Sequence, residues 1–324
     1  MGMDYERGGT QKDHYEPGEL VEVPCPYCGS GTPSRLHTEY GNVGVVRCTC
    51  GLIYTSPRVR DSEKNYWGDR DAYYREARLI FQGTGRHHRD PNYLEELDLI
   101  ARYRPRGRFL DVGCSMGMLL RHVSARGWEA VGVEPSPTLS ALARDELGLT
   151  ILNCYLDQVP PGHDATFDVV ALSDVFEHVS EPLAMLGHVR RLLKPDGILY
   201  VKVPNARFNL LKQLAVRLRG RNLQHGVWDA YEHVIHYTDE SLRRMLAKGG
   251  FRVETLSLAR PVQIPVWHHH VGQYFQYPSP VALDWKRHLG RAAFHRAGKV
   301  ERVLRLGTAG YLASSLAAIA RPAS

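Results

Sequence analysis

Short apolar runs alternate with amphipathic segments from about residue 106 onward, and this alternation predicts strands followed by helices. The runs that predict strands are Arg108–Val112, Glu129–Val133, Leu149–Asn153, Phe167–Leu172 and Ile198–Val203. The segments with apolar residues at helical spacing are Gly117–Arg126, Ser136–Leu147 and the stretch that Ser180 and Pro182 open. Such alternation predicts an α/β fold, in which a parallel sheet is covered by helices on both faces.

Polar residues stand where several predicted strands end. Asp111, Glu134, Asp174 and Asn205 all fall at or just beyond the carboxyl end of a strand. Ligands of open parallel sheets bind beyond these ends, at the point where the strand order reverses. The sequence therefore predicts a ligand site built from these four positions.

The glycine turn after the first predicted strand narrows the class of ligand. A dinucleotide site favours G-x-G-x-x-G, but counting from Gly113 the chain offers Ser115 and Met118 where glycines would stand. The motif is D-x-G-x-S-x-G, which Asp111 opens and Gly117 closes. A carboxylate before the turn suits a ligand with an ammonium group or a bound water, so NAD is the weaker interpretation.

Four successive stretches, FLDVGCSMG, GVEPS, FDVVALSDVFEHV and LLKPDGILYVKVPN, resemble the motifs of class I S-adenosylmethionine-dependent methyltransferases. They occur in the family's order and spacing over about residues 107–205. The resemblance implies a Rossmann-like sheet of seven mostly parallel strands with helices on both faces. It also implies S-adenosyl-L-methionine as the methyl donor.

The same resemblance implies which residues contact this cofactor. Residues of the glycine turn would shape the pocket for its methionine part, Glu134 with Pro135 would hold the ribose, Asp157 would lie near the adenine, and Ser173 and Asp174 would lie beside the sulfonium. The turn residues concerned are Asp111, Gly113, Cys114 and Gly117. The alternatives are a packing role for Gly117, a turn cap for Asp111 and a surface position for Asp157.

Two cysteine pairs precede this region. Cys25 and Cys28 form C-x-x-C, and Cys48 and Cys50 form a tighter C-x-C nineteen residues later. Four thiolates at such spacings can converge tetrahedrally on Zn²⁺, which then stabilises a segment too small for its own core. The stretch resembles the zinc ribbon that precedes some bacterial sugar C-methyltransferases and some ribosomal RNA methyltransferases. Buried free cysteines or a disulfide are the alternative.

Three histidines are candidates for the base that a hydroxyl or carbanion acceptor needs. His178 follows the fourth strand, and His233 and His236 precede a helix that Thr238 or Asp239 caps. A purely structural hydrogen bond is the alternative for each. The segment 173–176 reads Ser-Asp-Val-Phe and lacks the proline pair with which similar enzymes grip an exocyclic amine, which argues against adenine or cytosine in DNA.

The 324 residues suffice for one large domain or two. We expect a flexible tail over 1–20, a zinc ribbon over 21–57, a helical lead-in and lid over 58–105, the cofactor domain over 106–258 and a partly helical basic extension over 259–324. The N-terminus lacks an apolar signal core and no run of 18 apolar residues occurs, so a cytoplasmic location is the default expectation. The oligomeric state stays open.

The charge of the chain is uneven. From residue 206 onward, 18 Lys/Arg face 7 Asp/Glu, a balance of +11, which leaves −5 on the first 205 residues because the total is +6. A basic end favours an anionic substrate, a membrane surface or RNA, and a solvated basic face is the alternative. By resemblance and by this charge we expect O- or C-methylation of a sugar, a sugar nucleotide or a lipid-linked intermediate, with an RNA methyltransferase as the alternative. Apolar residues at helical spacing over 208–218 and 304–319 predict helices that could lie on a membrane or pack on the protein's own core.

Overall fold

The computed structural model describes residues 14–60, 80–81, 87, 89–220, 226–261, 285–305 and 310–323. The start of the predicted tail (1–13), much of the predicted lid (61–79) and the first part of the predicted extension (262–284) lie outside the described residues.

A sheet of seven strands with helices packed around it forms the centre of the fold. Its strands are β6 (Arg108–Val112), β7 (Glu129–Val133), β8 (Thr150–Leu152), β9 (Phe167–Ser173), β10 (Leu193–Pro204), β12 (Phe251–Leu258) and β13 (Ser315–Pro322). The helices are α1 (Asp90–Ala101), α2 (Met118–Ala125), α3 (Pro137–Leu147), α4 (Pro182–Leu192), α5 (Ala206–Leu218), α6 (Asp239–Lys248) and α7 (Trp285–Leu304). The α/β prediction and the five predicted strands are confirmed.

The strand order is β12-β13-β10-β9-β6-β7-β8, so the order reverses between β6 and β9. Strands β6 to β10 pair in parallel, and β13 runs antiparallel to both β10 and β12. The carboxyl ends of β6 and β9 therefore meet at one edge, where Asp111 and Asp174 stand. This is the switch point at which ligands of such sheets bind.

Strand β13 corrects one sequence prediction. The apolar residues of 304–319 were expected to form a helix, but Leu316 and Ile319 lie in a strand inserted between β10 and β12. The residues assigned to a basic extension thus complete the central sheet. Five consecutive residues from Leu316 to Ala320 are buried, because a central strand is covered on both faces and needs no polar alternation.

A smaller N-terminal sheet packs against this core. It contains β2 (Ser34–Glu39), β3 (Val43–Arg47), β4 (Ile53–Thr55) and β11 (Ile235–His236). The strand order is β11-β4-β3-β2, and β11, from much later in the sequence, pairs antiparallel with β4. Two further short strands, β1 (Leu20–Val21) and β5 (Arg58–Val59), form a separate antiparallel pair. The cysteine-bearing segment is therefore joined to the larger unit by backbone hydrogen bonds.

Two predictions about exposed segments differ from the structure. Tyr15 is 2% exposed and its ring stacks on Tyr231, so the described end of the tail is packed rather than free. For the apolar stripe of α5, packing on the protein's own core was one interpretation. Its residues Leu214 and Leu218 are 54% and 79% exposed. Among the described residues, no helix is both long enough and apolar enough to cross a membrane.

Candidate active site

The glycine turn joins β6 to α2 at the switch point of the sheet. Gly113 and Gly117 have φ of 68° and 80°, and Ser115 has φ of 51°. A Cβ on Gly117 would come within 2.6 Å of the Leu149 side chain. Both glycines are therefore required by backbone conformation, and Gly117 also by the close packing of α3 beneath it.

The carboxyl group of Glu134 stabilises this turn by hydrogen bonds to backbone amides. Its Oε2 accepts the amide N–H of Ser115 and its Oε1 accepts that of Ser136, both at 2.8 Å. The side chain is 2% exposed and stands behind the cavity wall that Ser115 forms. Burial raises the pKa of Glu134 to about 7, even though the two amides favour its ionised form.

Asp111 is a second buried carboxyl group at the same place. It is 4% exposed and lines the cavity. Burial, together with the charges of Glu96 and Glu134, raises its pKa well above the ordinary value. This end of the cavity thus holds two carboxyl groups whose ionisation is opposed by burial and would be favoured by a cationic ligand group.

Four charged side chains form a network near Asp111, in which Lys202 and Glu96 are buried and Asp174 and Arg89 are partly exposed. Lys202, which is 1% exposed, lies 2.8 Å from Oδ2 of Asp174 and 3.0 Å from Oε1 of Glu96. Arg89 donates to the same oxygen of Asp174 at 2.7 Å. Burial alone would raise the pKa of Asp174, but Lys202 and Arg89 outweigh it and lower the pKa to about 2. Asp174 is therefore an anion that two cations hold in place.

Ser173 is tied to this network as well. Its hydroxyl donates to Oε2 of Glu96 at 2.8 Å. Asp174 follows with φ of 56°, which turns the chain sharply at the end of β9. Ser173 and Asp174 therefore reach the cavity from a rigid, hydrogen-bonded strand end.

Two histidines also line the cavity. The ring centroids of His178 and His233 are 4.8 Å apart, and the ring planes are inclined at 66° in an edge-on contact. Nδ1 of His178 lies 2.9 Å from the carbonyl oxygen of Glu232. A carbonyl only accepts, so Nδ1 carries the proton and Nε2 keeps its lone pair. Burial, then the neighbouring His233, lowers the pKa of His178 to about 3, which keeps the ring neutral.

Glu177 completes this cluster. It is 2% exposed, and its Oε2 has no hydrogen-bond partner among the described residues. Its Oε1 lies 4.0 Å from Nε2 of His178. Burial and the charge of Asp174 raise the pKa of Glu177 well above its ordinary value. One ligand atom from each of Glu177, His178 and His233 falls within 4.8 Å of the others.

Several of these groups line one cavity of about 410 Å³, a size ordinary for small-molecule sites. Asp111, Ser115 and Asp174 stand in its wall together with His178 and His233. The structure therefore brings together most of the residues that the sequence singled out. Phe208 and Lys212 of α5 and Arg291 of α7 form a further part of the wall.

Five predicted site residues are not part of the wall of this cavity: Gly117, Glu134, Pro135, Asp157 and His236. His236 is 4% exposed and does not line the cavity; its Nε2 is 3.2 Å from the hydroxyl of Thr55, and its ring meets Trp228 edge-on. Asp157 is exposed and lines a separate recess of about 610 Å³, together with Arg58, Arg60 and His188.

The four N-terminal cysteines converge as their spacing predicts. Sγ of Cys25 is 3.7 Å from that of Cys50, Sγ of Cys28 is 3.4 Å from that of Cys48, and all four lie within 4.8 Å of one another. Sulfur atoms bound tetrahedrally to Zn²⁺ at about 2.3 Å stand about 3.8 Å apart. The donor set and its spacing therefore fit zinc.

Both cysteine pairs are shaped by similar turns. The amide of Gly29 donates to the carbonyl of Cys25, and the amide of Gly51 donates to that of Cys48, each at 2.8 Å. Both glycines have positive φ, 76° and 89°. The C-x-C pair reaches the same arrangement with one residue fewer.

A family model described as a methyltransferase domain matches residues 86–256, just over half of the chain. The chain belongs to the S-adenosylmethionine-dependent methyltransferases. The match covers the glycine turn, the Glu96–Lys202 network and the histidine pair. The sequence-based identification and the methyl donor are thereby confirmed.

Several curated relatives are similar to this methyltransferase over part of its length. Ubiquinone biosynthesis O-methyltransferases from Rhodopseudomonas palustris (strain TIE-1) and Cereibacter sphaeroides (strain ATCC 17025) are 32% and 36% identical over 103 residues. That stretch is 30% of this chain and 40% or 41% of those proteins. The chain thus matches less than half the length of these relatives.

Solved structures of similar shape include a 1,6-didemethyltoxoflavin-N1-methyltransferase from Burkholderia thailandensis, with 14% identity and a TM-score of 0.49 over 90% of this chain and 99% of that one. A possible histamine N-methyltransferase from Thermotoga maritima has 18% identity and a TM-score of 0.47, over 79% of this chain and 99% of that one.

Sequence reasoning missed several residues of the methyltransferase site. Lys202 had a readable signal, since it is a lone cation inside the apolar run ILYVKVP, where a charge must find partners. Arg89, Glu96 and Thr55 carried none, because each meets its partner only through tertiary contacts. Glu177 stood within the FEHV motif but was not singled out.

Proposed function

We propose that this protein transfers a methyl group from S-adenosylmethionine to a hydroxyl oxygen of a small molecule, with His178 as the general base. The observation that carries the proposal is that one cavity is lined by a glycine turn with buried carboxyl groups and by an unprotonated histidine nitrogen. S-adenosylmethionine would supply an electrophilic methyl group on a sulfonium centre.

The glycine-turn side fits the cofactor by charge and shape. Asp111 and Glu134 place two buried carboxyl groups behind the turn, next to the anion Asp174. A cation relieves the cost of ionising them, and each Glu134 oxygen keeps a lone pair for a ribose hydroxyl. We assign Gly113, Cys114 and Ser173 to the wall of this subsite, and Gly117 and Pro135 to the turns that support it.

The histidine side fits removal of a hydroxyl proton. Nε2 of His178 would accept the hydroxyl proton as the acceptor oxygen bonds to the methyl carbon and the methyl–sulfur bond breaks, which leaves S-adenosylhomocysteine as the second product. The protonated ring would then be stabilised by Asp174, and by Glu177 once that carboxyl is ionised. His233 packs against the ring and limits its rotation. We assign His236 a supporting position rather than a direct one, because Thr55 and Trp228 enclose it.

The acceptor class rests on the chain's composition and its relatives. The partly matching curated relatives are named for O-methylation, which favours oxygen over carbon or nitrogen here. Lys212 and Arg291 in the cavity wall suit an acceptor with an anionic part. A sugar, a sugar nucleotide or a lipid-linked intermediate meets these conditions.

A lipid-linked acceptor is supported by the surface next to the cavity. Helices α5 and α7 carry exposed apolar side chains, and exposed cations stand among them. The apolar residues are Leu214, Leu218, Leu289, Phe294, Val300, Val303 and Leu304, and the cations include Arg217, Arg296 and Lys299. This combination suits the interface of an anionic membrane.

We also propose that the four cysteines hold a structural zinc ion. Four thiolates fill a tetrahedral site and leave no open position for catalysis. The zinc would then fix the two cysteine turns and the start of β4.

The decisive experiment measures methyl transfer from labelled S-adenosylmethionine to a panel of sugar nucleotides and polyprenyl-phosphate-linked sugars. We expect one class to accept label, and H178A to lower kcat by about 10²-fold or more while S-adenosylhomocysteine binds with unchanged affinity. H188A, at the separate recess, is the matched control. Full activity in H178A would refute the assignment of the base.

An RNA acceptor is the alternative that the basic chain end and the cysteine ribbon suggest. Retention on RNA that falls steeply with salt, together with labelling of RNA rather than of the small molecules, would support this alternative.

Co-sedimentation with phosphatidylglycerol vesicles, but not with phosphatidylcholine vesicles, would support the membrane surface. The double variant L218E/V303E should abolish this co-sedimentation.

A further inference from the structure

The segment that carries His233 is clamped between two parts of the chain that are distant in sequence. On one side, the amide of Val234 donates to the carbonyl of Glu177 at 2.9 Å. On the other, the amide of Thr55 donates to the carbonyl of Val234 at 3.0 Å, and β4 pairs with β11. Strand β4 of the cysteine-bearing sheet is therefore a direct support of the cavity wall.

The hydroxyl of Thr55 adds a specific contact to this pairing. Thr55 is fully buried, and its Oγ1 donates to the carbonyl oxygen of His233 at 2.8 Å. Since its one proton is used there, Oγ1 accepts from Nε2 of His236 at 3.2 Å. The hydroxyl thus links the backbone of His233 to the ring of His236.

The position of His233 affects His178 in two ways. The His233 ring packs on the His178 ring. The preceding residue, Glu232, supplies the carbonyl that accepts the His178 Nδ1 proton. A shift of this peptide would therefore change both the tilt and the tautomer of His178.

We propose that Thr55 is a positioning residue, which holds the 232–233 segment so that His178 presents Nε2 to the cavity. The inference rests on the proposed function, because it assigns to Thr55 the orientation of the proposed base. It also gives the cysteine-bearing sheet a part in the reaction that goes beyond stabilising its own fold.

The test compares T55V, which removes the hydroxyl at nearly constant volume, with T55S, which retains it. We expect T55V to lower kcat about tenfold or more, because small misplacements of a catalytic group are costly, and to leave the affinity for S-adenosylhomocysteine unchanged. T55S should recover most of the activity. The acid limb of the pH–rate profile should move to higher pH in T55V, because a loosened wall admits water to His178.

The groups that face His178 and set this profile are Asp174, Arg89, Glu177 and His233. All of them are retained in T55V, so a moved limb reports position rather than a lost charge. The matched control is T166V, because the Thr166 hydroxyl likewise donates to a histidine carbonyl, that of His163, at 2.8 Å. T166V should leave kcat and the pH profile unchanged.

Nuclear magnetic resonance titration of the histidine rings separates this inference from the proposed function. A changed tautomer or titration of His178 in T55V, but not in T166V, would support the positioning role even if no tested acceptor were methylated. Wild-type kcat, pH profile and ring signals in T55V would overturn it.

Discussion

The ammonium nitrogen of Lys202 lies 2.8 Å from Oδ2 of Asp174, and the lysine side chain is only 1% exposed. It meets Glu96 as well, so one lysine near the carboxyl end of β10 neutralises one carboxylate that follows β9 and another in α1. This relationship ties the end of β9 to the helix that precedes the sheet. It also sets the charge next to the proposed sulfonium site.

Removal of Lys202 should strongly destabilise the protein. K202M leaves Asp174 and Glu96 buried with too little positive charge, and breaking a buried ion pair from one side costs about 3–5 kcal/mol. Lys194 is the control, because its pair with Asp168 is 2.7 Å long but the lysine is 38% exposed. K194M should cost about 1 kcal/mol or less. Urea unfolding measures both, and equal losses would contradict the expectation.

Gly117 and Gly127 provide a second comparison. Both have positive φ, 80° and 78°, so alanine at either strains the backbone by about 1–2 kcal/mol. A Cβ at 117 would also meet Leu149 at 2.6 Å and Ala143 at 3.2 Å, whereas a Cβ at 127 has no atom within 4 Å. G117A should therefore lose about 1–3 kcal/mol more and weaken cofactor binding. Thermal unfolding and calorimetry with S-adenosylhomocysteine test this, and similar losses in both variants would argue against a packed turn.

Cofactor affinity should rise with pH. Burial raises the pKa of Glu134 from 4.5 to about 7 in the free protein. In the free protein, this raised carboxyl pKa contributes folding stability that is fully present below pH 4.5 and is lost as the pH rises through about 7. The proposed ribose contact needs the ionised form, so affinity for S-adenosylhomocysteine should gain up to about tenfold per pH unit below 7.

The measurement is isothermal titration calorimetry from pH 5.5 to 8 in buffers of different ionisation enthalpy. We expect proton release on binding at pH 6, and the raised pKa of Asp111 acts in the same direction. E134Q should bind more weakly with a flatter pH dependence. An affinity that falls as the pH rises would contradict this account.

Metal removal should destabilise the N-terminal unit. We expect about one zinc per chain, lost in C48S and on treatment with a strong chelator, with a lower Tm because a four-thiolate site stabilises its fold through the metal. C154S is the control, since Cys154 lies outside the four-cysteine cluster. Metal analysis and thermal unfolding measure the outcome. Full zinc content in C48S would exclude this cysteine as a ligand.

The sequence by itself determined the strand–helix alternation, the glycine turn and the cysteine turns. Each depends on residues close together in the chain: apolar periodicity, positive φ at Gly113 or Gly117, or ligands a few residues apart. Local stereochemistry decides these features, so they can be read without the rest of the molecule. The cofactor class followed from the resemblance of four successive motifs, beginning with FLDVGCSMG, to those of methyltransferases.

Only the tertiary structure determined which residues come together around the cavity. The sequence pattern of β13 predicted an amphipathic helix, but the segment forms a strand because it pairs with β10 on one side and β12 on the other. Thr55 meets His233 across 178 residues of sequence, and no local pattern marks either as the other's partner. Hydrogen bonds and ion pairs between distant segments form only when the whole sheet packs. The orientation of the proposed base therefore follows from the complete fold.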